Sequence, residues 1–401
     1  MTAAPRRPTA LIAAVALTLL LGLQPVTTDL YLPALPAIQS ELHASMHATQ
    51  LTMAALLLAF GFGQLVAGPV ADRFGRRPVL LTTLSVYLLA SFSAVLATSI
   101  EALVLVRIVQ GAVMAGVVVV ARAMVRDLYA PHEGARVMSL GMSGLGIVAI
   151  TGPLLGGWLT NHGGWQMTFV AAAVIALGTL GFVITQLPET LHQKNPRALQ
   201  PGPLLAAGRL VLRNPSFFAW AGLSAATYGG LFVFLAGSSF VYMQVLGLNA
   251  AQYGLALSTS SLSYLAGTFV CRRWLTRGGM VAAVRRAAWF TLAGGLSMAA
   301  LAAADVQSVW AILVPQLLYA FGHGTHQACG QTGAVGPFPQ QAGVASALAG
   351  FLLAVVAFGI GQWLGLALDG TTRPLAYGVA VGSVVTALVG WTAVQRHGDP
   401  R

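Results

Sequence analysis

Apolar residues in this chain fall in runs of about 18 to 25 positions, the length that carries a helix across a hydrocarbon layer. They lack the alternating polar pattern of barrel strands, so each run reads as a spanning helix. Spans are expected at 9–37, 46–70, 77–98, 101–124, 136–160 and 165–187, and again at 216–243, 251–271, 283–303, 308–334, 341–367 and 374–394. The first run, Thr9 to Leu23 behind Arg6 and Arg7, imitates a secretory signal but continues into the next apolar residues; it reads as an uncleaved first helix.

Composition agrees with this pattern. With 57% hydrophobic and 8% charged residues, the chain cannot present an ordinary soluble surface. The net charge of +11 is scattered over short loops rather than gathered on one face, which argues against a nucleic-acid partner. Cys271 and Cys329 lie in different apolar runs and offer no disulfide framework or zinc spacing. No cofactor and no metal are expected, and the chain has no phosphate-binding loop of the G-x-x-x-x-G-K type.

Charge fixes the expected topology. Arg6, Arg7, Arg73, Arg76, Arg77, Arg126, Arg209, Arg213, Arg272, Arg273 and Arg396 fall in loops on one side, and Arg373 stands alone on the other. The positive-inside bias therefore puts both termini in the cytoplasm. The longest polar interruption, with Glu189, Lys194, Arg197, Arg209 and Arg213, sits mid-chain. The expected organisation is an N-terminal six-helix half at 1–188, a cytoplasmic linker at 189–215 and a C-terminal six-helix half at 216–401. Ala135, Val137, Ser139 and Gly152 recur at one offset as Ala342, Val344, Ser346 and Gly359, and the basic turn after span 2 has a degraded counterpart at 272–279. The fold class is thus all-α integral membrane, twelve transmembrane helices in two pseudo-symmetric halves. A substrate site is expected between them.

Asp29 is the one carboxylate placed well inside a span. An acid there costs about 2.5 to 3.5 kcal/mol on insertion scales, so a working role or a partner is expected. Balanced between desolvation and a nearby cation, such a group exchanges a proton near neutral pH. Arg107, in span 4, stands at a similar depth, about 9 to 12 Å from the outer surface, and the two residues could face one cavity.

The turn Gly68-Pro69-Val70-Ala71-Asp72-Arg73-Phe74-Gly75-Arg76-Arg77 packs charge between two apolar runs, with glycines that permit a sharp turn. Gly144, Gly146, Gly152, Pro153, Gly156 and Gly157 in span 5 favour close helix contact and a loosened backbone. Tyr31, Gln50, Met53, Tyr228, Phe232, Phe234 and Tyr242 are candidate substrate contacts, because aromatic and methionine side chains give adaptable apolar contact. His323, His326 and Cys329 share a face of span 10 and read as polar lining of a cavity, with a soft-metal site or second proton carrier as alternatives. His43 and His47 read as solvated surface.

The basic turn resembles the loop between helices 2 and 3 of the major facilitator superfamily, Arg107-x-x-Gln110-Gly111 resembles the span 4 motif of its proton-coupled members, and the span 5 glycines resemble the motif of its antiporters. Together with Thr28–Pro36, Val125–Tyr129, Ser239–Tyr242 and Phe338–Ser346, the chain resembles, from end to end, the bicyclomycin/chloramphenicol resistance (Bcr/CflA) group of drug exporters. The resemblance implies a monomeric drug:proton antiporter of a bacterial inner membrane that takes small hydrophobic or amphipathic compounds. Asp29 and Arg107 are then expected to couple protons. Gly68, Asp72, Arg73, Gly75, Arg76, Arg77 and Arg126 are expected to form a cytoplasmic latch, with Asp72 meeting the start of span 11. A dedicated exporter of an amino acid, sugar or siderophore is the nearest alternative; an intramembrane metal protein using His323 and His326, or a transport-inactive receptor, are more distant ones.

Overall fold

The computed structural model describes residues 9–398 and is helical throughout its long elements. Arg6, Arg7 and Arg401 lie outside the described residues, as does the side chain of Ala135. The helices follow the apolar runs. We number them α1 (Ala10–Glu41), α2 (Met46–Phe74), α3 (Arg76–Val95), α4 (Ile100–Leu128), α5 (Pro131–Gly163), α6 (Gln166–Gln186) and α7 (Pro215–Val245). The helical stretch Ala250–Ala303 is 54 residues long, twice what one crossing needs, and it breaks at Gly279 (φ 72°, ψ −177°) into α8 (250–278) and α9 (280–303). Then come α10 (Val309–Val335), α11 (Ala342–Ala367) and α12 (Arg373–Trp391). Helix α10 has the length of a span and carries the polar residues Gln316, His323, His326, Gln327 and Gln331 along it.

Local chemistry sets the ends. Ser45 accepts from the Ala48 amide at 3.1 Å, Ser99 from Ala102 at 3.2 Å, and Asn249 forms a capping box with Gln252. Between α2 and α3 a single residue, Gly75 (φ 112°), turns the chain, a conformation that a side chain would strain. The counterpart at 272–279, expected to be a basic loop, stays helical up to Gly279, because one residue of left-handed backbone suffices to reverse it. Within α1 the regular helix ends at Asp29; Pro33 cannot donate an N–H, and a 3-10 turn at Leu32–Ala34 follows.

Helices α1–α6 pack on one another and α7–α12 do likewise. Large apolar side chains such as Leu89, Leu105, Val174 and Leu366 are exposed around the bundle, as lipid contact requires. The two sets meet along α2 with α11 and along α5 with α8. These seams are equivalent under an exchange of the first six helices with the last six. A short helix, Pro201–Leu212, connects the sets at the end that carries the basic turn.

Candidate functional site

Arg107 is fully buried, 1% exposed, inside the first six helices. Its guanidinium donates to the Thr27 carbonyl at 3.0 Å and to Gln110 Oε1 at 3.1 Å, lies 3.3 Å from Met53 Sδ, and sits 4.1 Å from the centroid of the Tyr31 ring. Carbonyl, amide, sulfur and ring face thus replace water around the charge. The surrounding groups are themselves fixed: Gln110 donates to Ser91 at 3.0 Å, Tyr31 and Thr52 hydroxyls meet at 2.6 Å, and Tyr87 and Thr27 hydroxyls meet at 2.6 Å. A void of about 10 Å³, room for one water, adjoins them.

Asp29 points elsewhere. Residues two apart on a helix project roughly 200° apart, so with Thr27 and Tyr31 turned to Arg107, Asp29 faces away. Its Oδ1 accepts from Thr28 Oγ1 at 2.8 Å, its Cβ lies beside Gly152 of α5, and the turn that follows it, Leu32–Ala34, packs against α5, α7 and the stretch Ala250–Ala303. Asp29 therefore lies at the junction of the two helix sets, half-buried. No ion pair joins it to Arg107 among the described residues.

Around and beyond Asp29 the bundle is closed. Gly156 packs on the Leu30 carbonyl, Gly157 on the Ala250 carbonyl and Gly254 on the Pro153 carbonyl, each so tightly that a methyl group would overlap the oxygen. Uncharged hydrogen bonds also join the two sets: His47 with Gln362 at 2.8 Å and Ser258 to the Ile150 carbonyl at 2.7 Å across these seams, and, involving α7, Gln50 to the Ala236 carbonyl at 2.7 Å and Gln244 to Gln39 at 3.1 Å.

At the basic end the helices part. A cavity of about 1430 Å³ opens between the two sets, lined by α2, α4, α5, α11 and the linker. At its rim Arg76 bridges Asp72 at 2.6 Å and Asp127 at 3.0 Å. Glu189 accepts the backbone N–H of Arg76 at 3.0 Å and of Arg77 at 3.2 Å, capping α3, while Arg77 donates to the Leu187 and Ile184 carbonyls. Asp72 and the first residues of α11, Ala342 to Val344, line the same cavity, and the N-cap position Gln341 supplies no side-chain cap.

A model of the Major Facilitator Superfamily matches residues 17–362. The chain belongs to the major facilitator superfamily. It is similar to Multidrug resistance protein D of Escherichia coli (strain K12), 30% identical over 84% of each chain. It is 29% identical to the Chloramphenicol resistance protein of Pseudomonas aeruginosa, over 92% of this chain and 87% of the relative, and 24% identical to a Bicyclomycin resistance protein homolog of Haemophilus influenzae over 94% of each. Among solved structures, a bacterial homolog of the human lysosomal transporter Spinster, inward-facing and unoccupied, superposes with a TM-score of 0.74 at 14% identity over 99% of this chain and 100% of that one. The xylose transporter XylE from E. coli, partially occluded and inward open, gives 0.74 at 15% over 95% and 97%. These two likenesses concern the fold.

In this facilitator the residues expected to contact substrate line no part of the open cavity. Tyr31, Gln50, Met53, Phe232, Phe234 and Tyr242 are all buried in helix packing, and Tyr228 is half-buried. Rings that look free in the sequence are used up by neighbours: Tyr228 stacks on Phe232, and Phe234, Tyr242 and Tyr253 form a chain of ring contacts. Of the latch set, Asp72, Arg76 and Arg77 are engaged as described, whereas Arg73 and Arg126 are exposed. Asp72 pairs with Arg76 of its own turn rather than with Arg126 or α11, since the cavity separates it from α11. Of the span 5 set, Gly144 lies against the Thr18 side chain, and Gly152, Pro153, Gly156 and Gly157 form the contacts given above.

His323 and His326 are corrected from cavity lining to core: they are 3% and 0% exposed within the last six helices, with His323 Nδ1 at 2.9 Å from the Thr227 hydroxyl. Among the described residues no three His, Cys, Asp or Glu side chains gather in a way that could hold a metal. His47 is corrected too, from solvated surface to a half-buried seam contact. Sequence reading also missed Glu189 as a cap, Asp127 as a partner of Arg76, and Arg122, which lines the cavity from inside α4.

Proposed function

We propose that this facilitator is a proton-coupled efflux antiporter that exports small hydrophobic or amphipathic drugs, of the chloramphenicol and bicyclomycin kind, across a bacterial inner membrane. The observation that carries the reading is the bundle sealed around Asp29 and open to a large cavity at its basic end, a form suited to loading from the cytoplasm. The names of the relatives, multidrug, bicyclomycin and chloramphenicol resistance, support the substrate class. Basic loops at the open end support cytoplasmic termini.

In this reading the halves 1–188 and 216–401 rock about the linker 189–215, as one monomer. Asp29 takes a proton from the outside when the seal at α2–α11 and α5–α8 opens. Loss of its charge at the junction lets substrate leave, and the protonated carrier returns to the state described here, where the proton departs inward. Arg107 fixes the α1 backbone beside Asp29 and senses its charge through two residues of helix. Asp72 docks on the uncapped start of α11 when the cavity closes, and Tyr228 of α7 lines the ligand path. Each inward proton supplies about 2.3 kcal/mol per 100 mV and about 1.4 kcal/mol per pH unit.

The test is drug-dependent proton release from inverted membrane vesicles. Several unrelated drugs should dissipate an imposed pH gradient, and Asp29→Asn should abolish the signal while the protein remains folded. Full activity of Asp29→Asn would remove Asp29 as carrier; a response to one metabolite and to no drug would replace the multidrug reading with a dedicated exporter.

A further inference from the structure

The walls of the open cavity carry six arginines, Arg76, Arg122, Arg126, Arg197, Arg209 and Arg213, and one acidic residue, Asp72. Arg76 is neutralised by Asp72 and Asp127. The other five have no carboxylate partner among the described residues. Loop arginines on a cytoplasmic face follow from topology alone. Arg122 does not: it stands six residues before the end of α4 at Leu128, about 9 Å inside the helix. It lies one turn from Arg126, so two like charges share a face that a helix by itself disfavours. The uncapped N-terminal end of α11 adds a positive dipole end to the same space. Between these charges the walls are apolar, with Leu65, Val119, Met138, Leu204 and Leu348.

We propose that Arg122 and Arg126 form a subsite for the anionic group, a carboxylate or a phosphate, of an amphipathic molecule whose apolar body lies against these walls. The inference deepens the export reading and rests on it for its consequence: the cavity admits amphipathic anions and neutral compounds and disfavours lipophilic cations. Guanidinium forks match carboxylate and phosphate oxygens in pairs, and a low-dielectric wall strengthens each contact. The same anionic chemistry is available from a soluble amphipath and from a lipid headgroup.

Equilibrium binding to the full-length protein in phosphatidylcholine nanodiscs separates this inference from transport. The probes are a dansyl alkyl carboxylate, its methyl ester and the matching alkylamine. The carboxylate should bind at least about tenfold tighter than the ester, and the amine most weakly. Arg122→Gln should remove that preference and leave the ester unchanged, and Arg122→Lys should keep part of it; size-exclusion profiles and thermal midpoints establish that both variants are folded. Competition by phosphatidylglycerol in the discs identifies a lipid headgroup as the resident anion, and its failure to compete identifies a soluble amphipath. Equal affinity for all three probes, or an equal loss of all three in Arg122→Gln, overturns the subsite. Tight carboxylate binding without drug-driven proton movement upholds the subsite and overturns the export reading instead.

Discussion

The Arg107 guanidinium donates to the Thr27 carbonyl at 3.0 Å, two residues before Asp29, and no carboxylate pairs with it among the described residues. A buried charge so held carries its desolvation cost without the return of an ion pair, and an apolar side chain of similar length in its place strands no counter-charge. Arg107→Met is therefore expected to keep or raise the thermal midpoint and to lose drug-dependent proton movement. Scanning fluorimetry with the vesicle assay checks both. A destabilised variant that still transports would show that the charge serves the fold.

Gly156 and Gly157 are neighbours with different partners. Gly156 packs on Leu30 within the first six helices, and Gly157 on Ala250 of α8, across the seam. Gly156→Ala should cost about 1–3 kcal/mol of stability, because a carbonyl cannot yield as a side-chain tip does. Gly157→Ala should instead wedge the seam open, sparing stability and exposing the closed end. Maleimide labelling of a cysteine placed at Ser258 reads that opening, and equal behaviour of the two variants would count against a seam that separates moving halves.

Glu189 caps α3 through two amides and also accepts from the amides of Thr190 and Leu191, both at 2.9 Å. Glu189→Ala should lower stability by about 1–2 kcal/mol, the range of a lost helix cap. A gentler loss in Glu189→Gln, measured by thermal melts, would separate hydrogen bonding from charge.

Cys271 and Cys329 sulfurs lie 3.9 Å apart, both buried, on α8 and α10 of the same half. Mild oxidation with copper phenanthroline should join them, since the sulfurs need to approach by about 2 Å, and intact-mass analysis should find two hydrogens lost. Because the bond does not cross the seam, transport should persist. Free thiols after oxidation would contradict this placement of α8 against α10.

The bundle was legible because lipid demands long apolar runs, and the runs at 46–70 and 374–394 reappear almost unchanged as α2 and α12. Asp29 and Gly157 were legible for a related reason, an acid and a cluster of small residues being out of place in a lipid-facing helix. Arg122 was not, since it reads as the inner flank of the run Val117–Ala121. Nor were His47 and His323, whose partners Gln362 and Thr227 lie 315 and 96 residues away. Where the aromatic candidates sit was not legible either, because one residue type serves both ligand contact and helix packing, and here the rings pack on one another away from the open cavity.

One residue, Gly279, turns α8 back as α9, with Arg272, Arg273 and Arg277 before it and Arg285 and Arg286 after it. A reversal that short leaves no loop to be drawn across the bilayer on its own. The two helices are thereby tied into one hairpin whose tip carries five positive charges, a concentration that the positive-inside bias would hold on a single side of the bilayer.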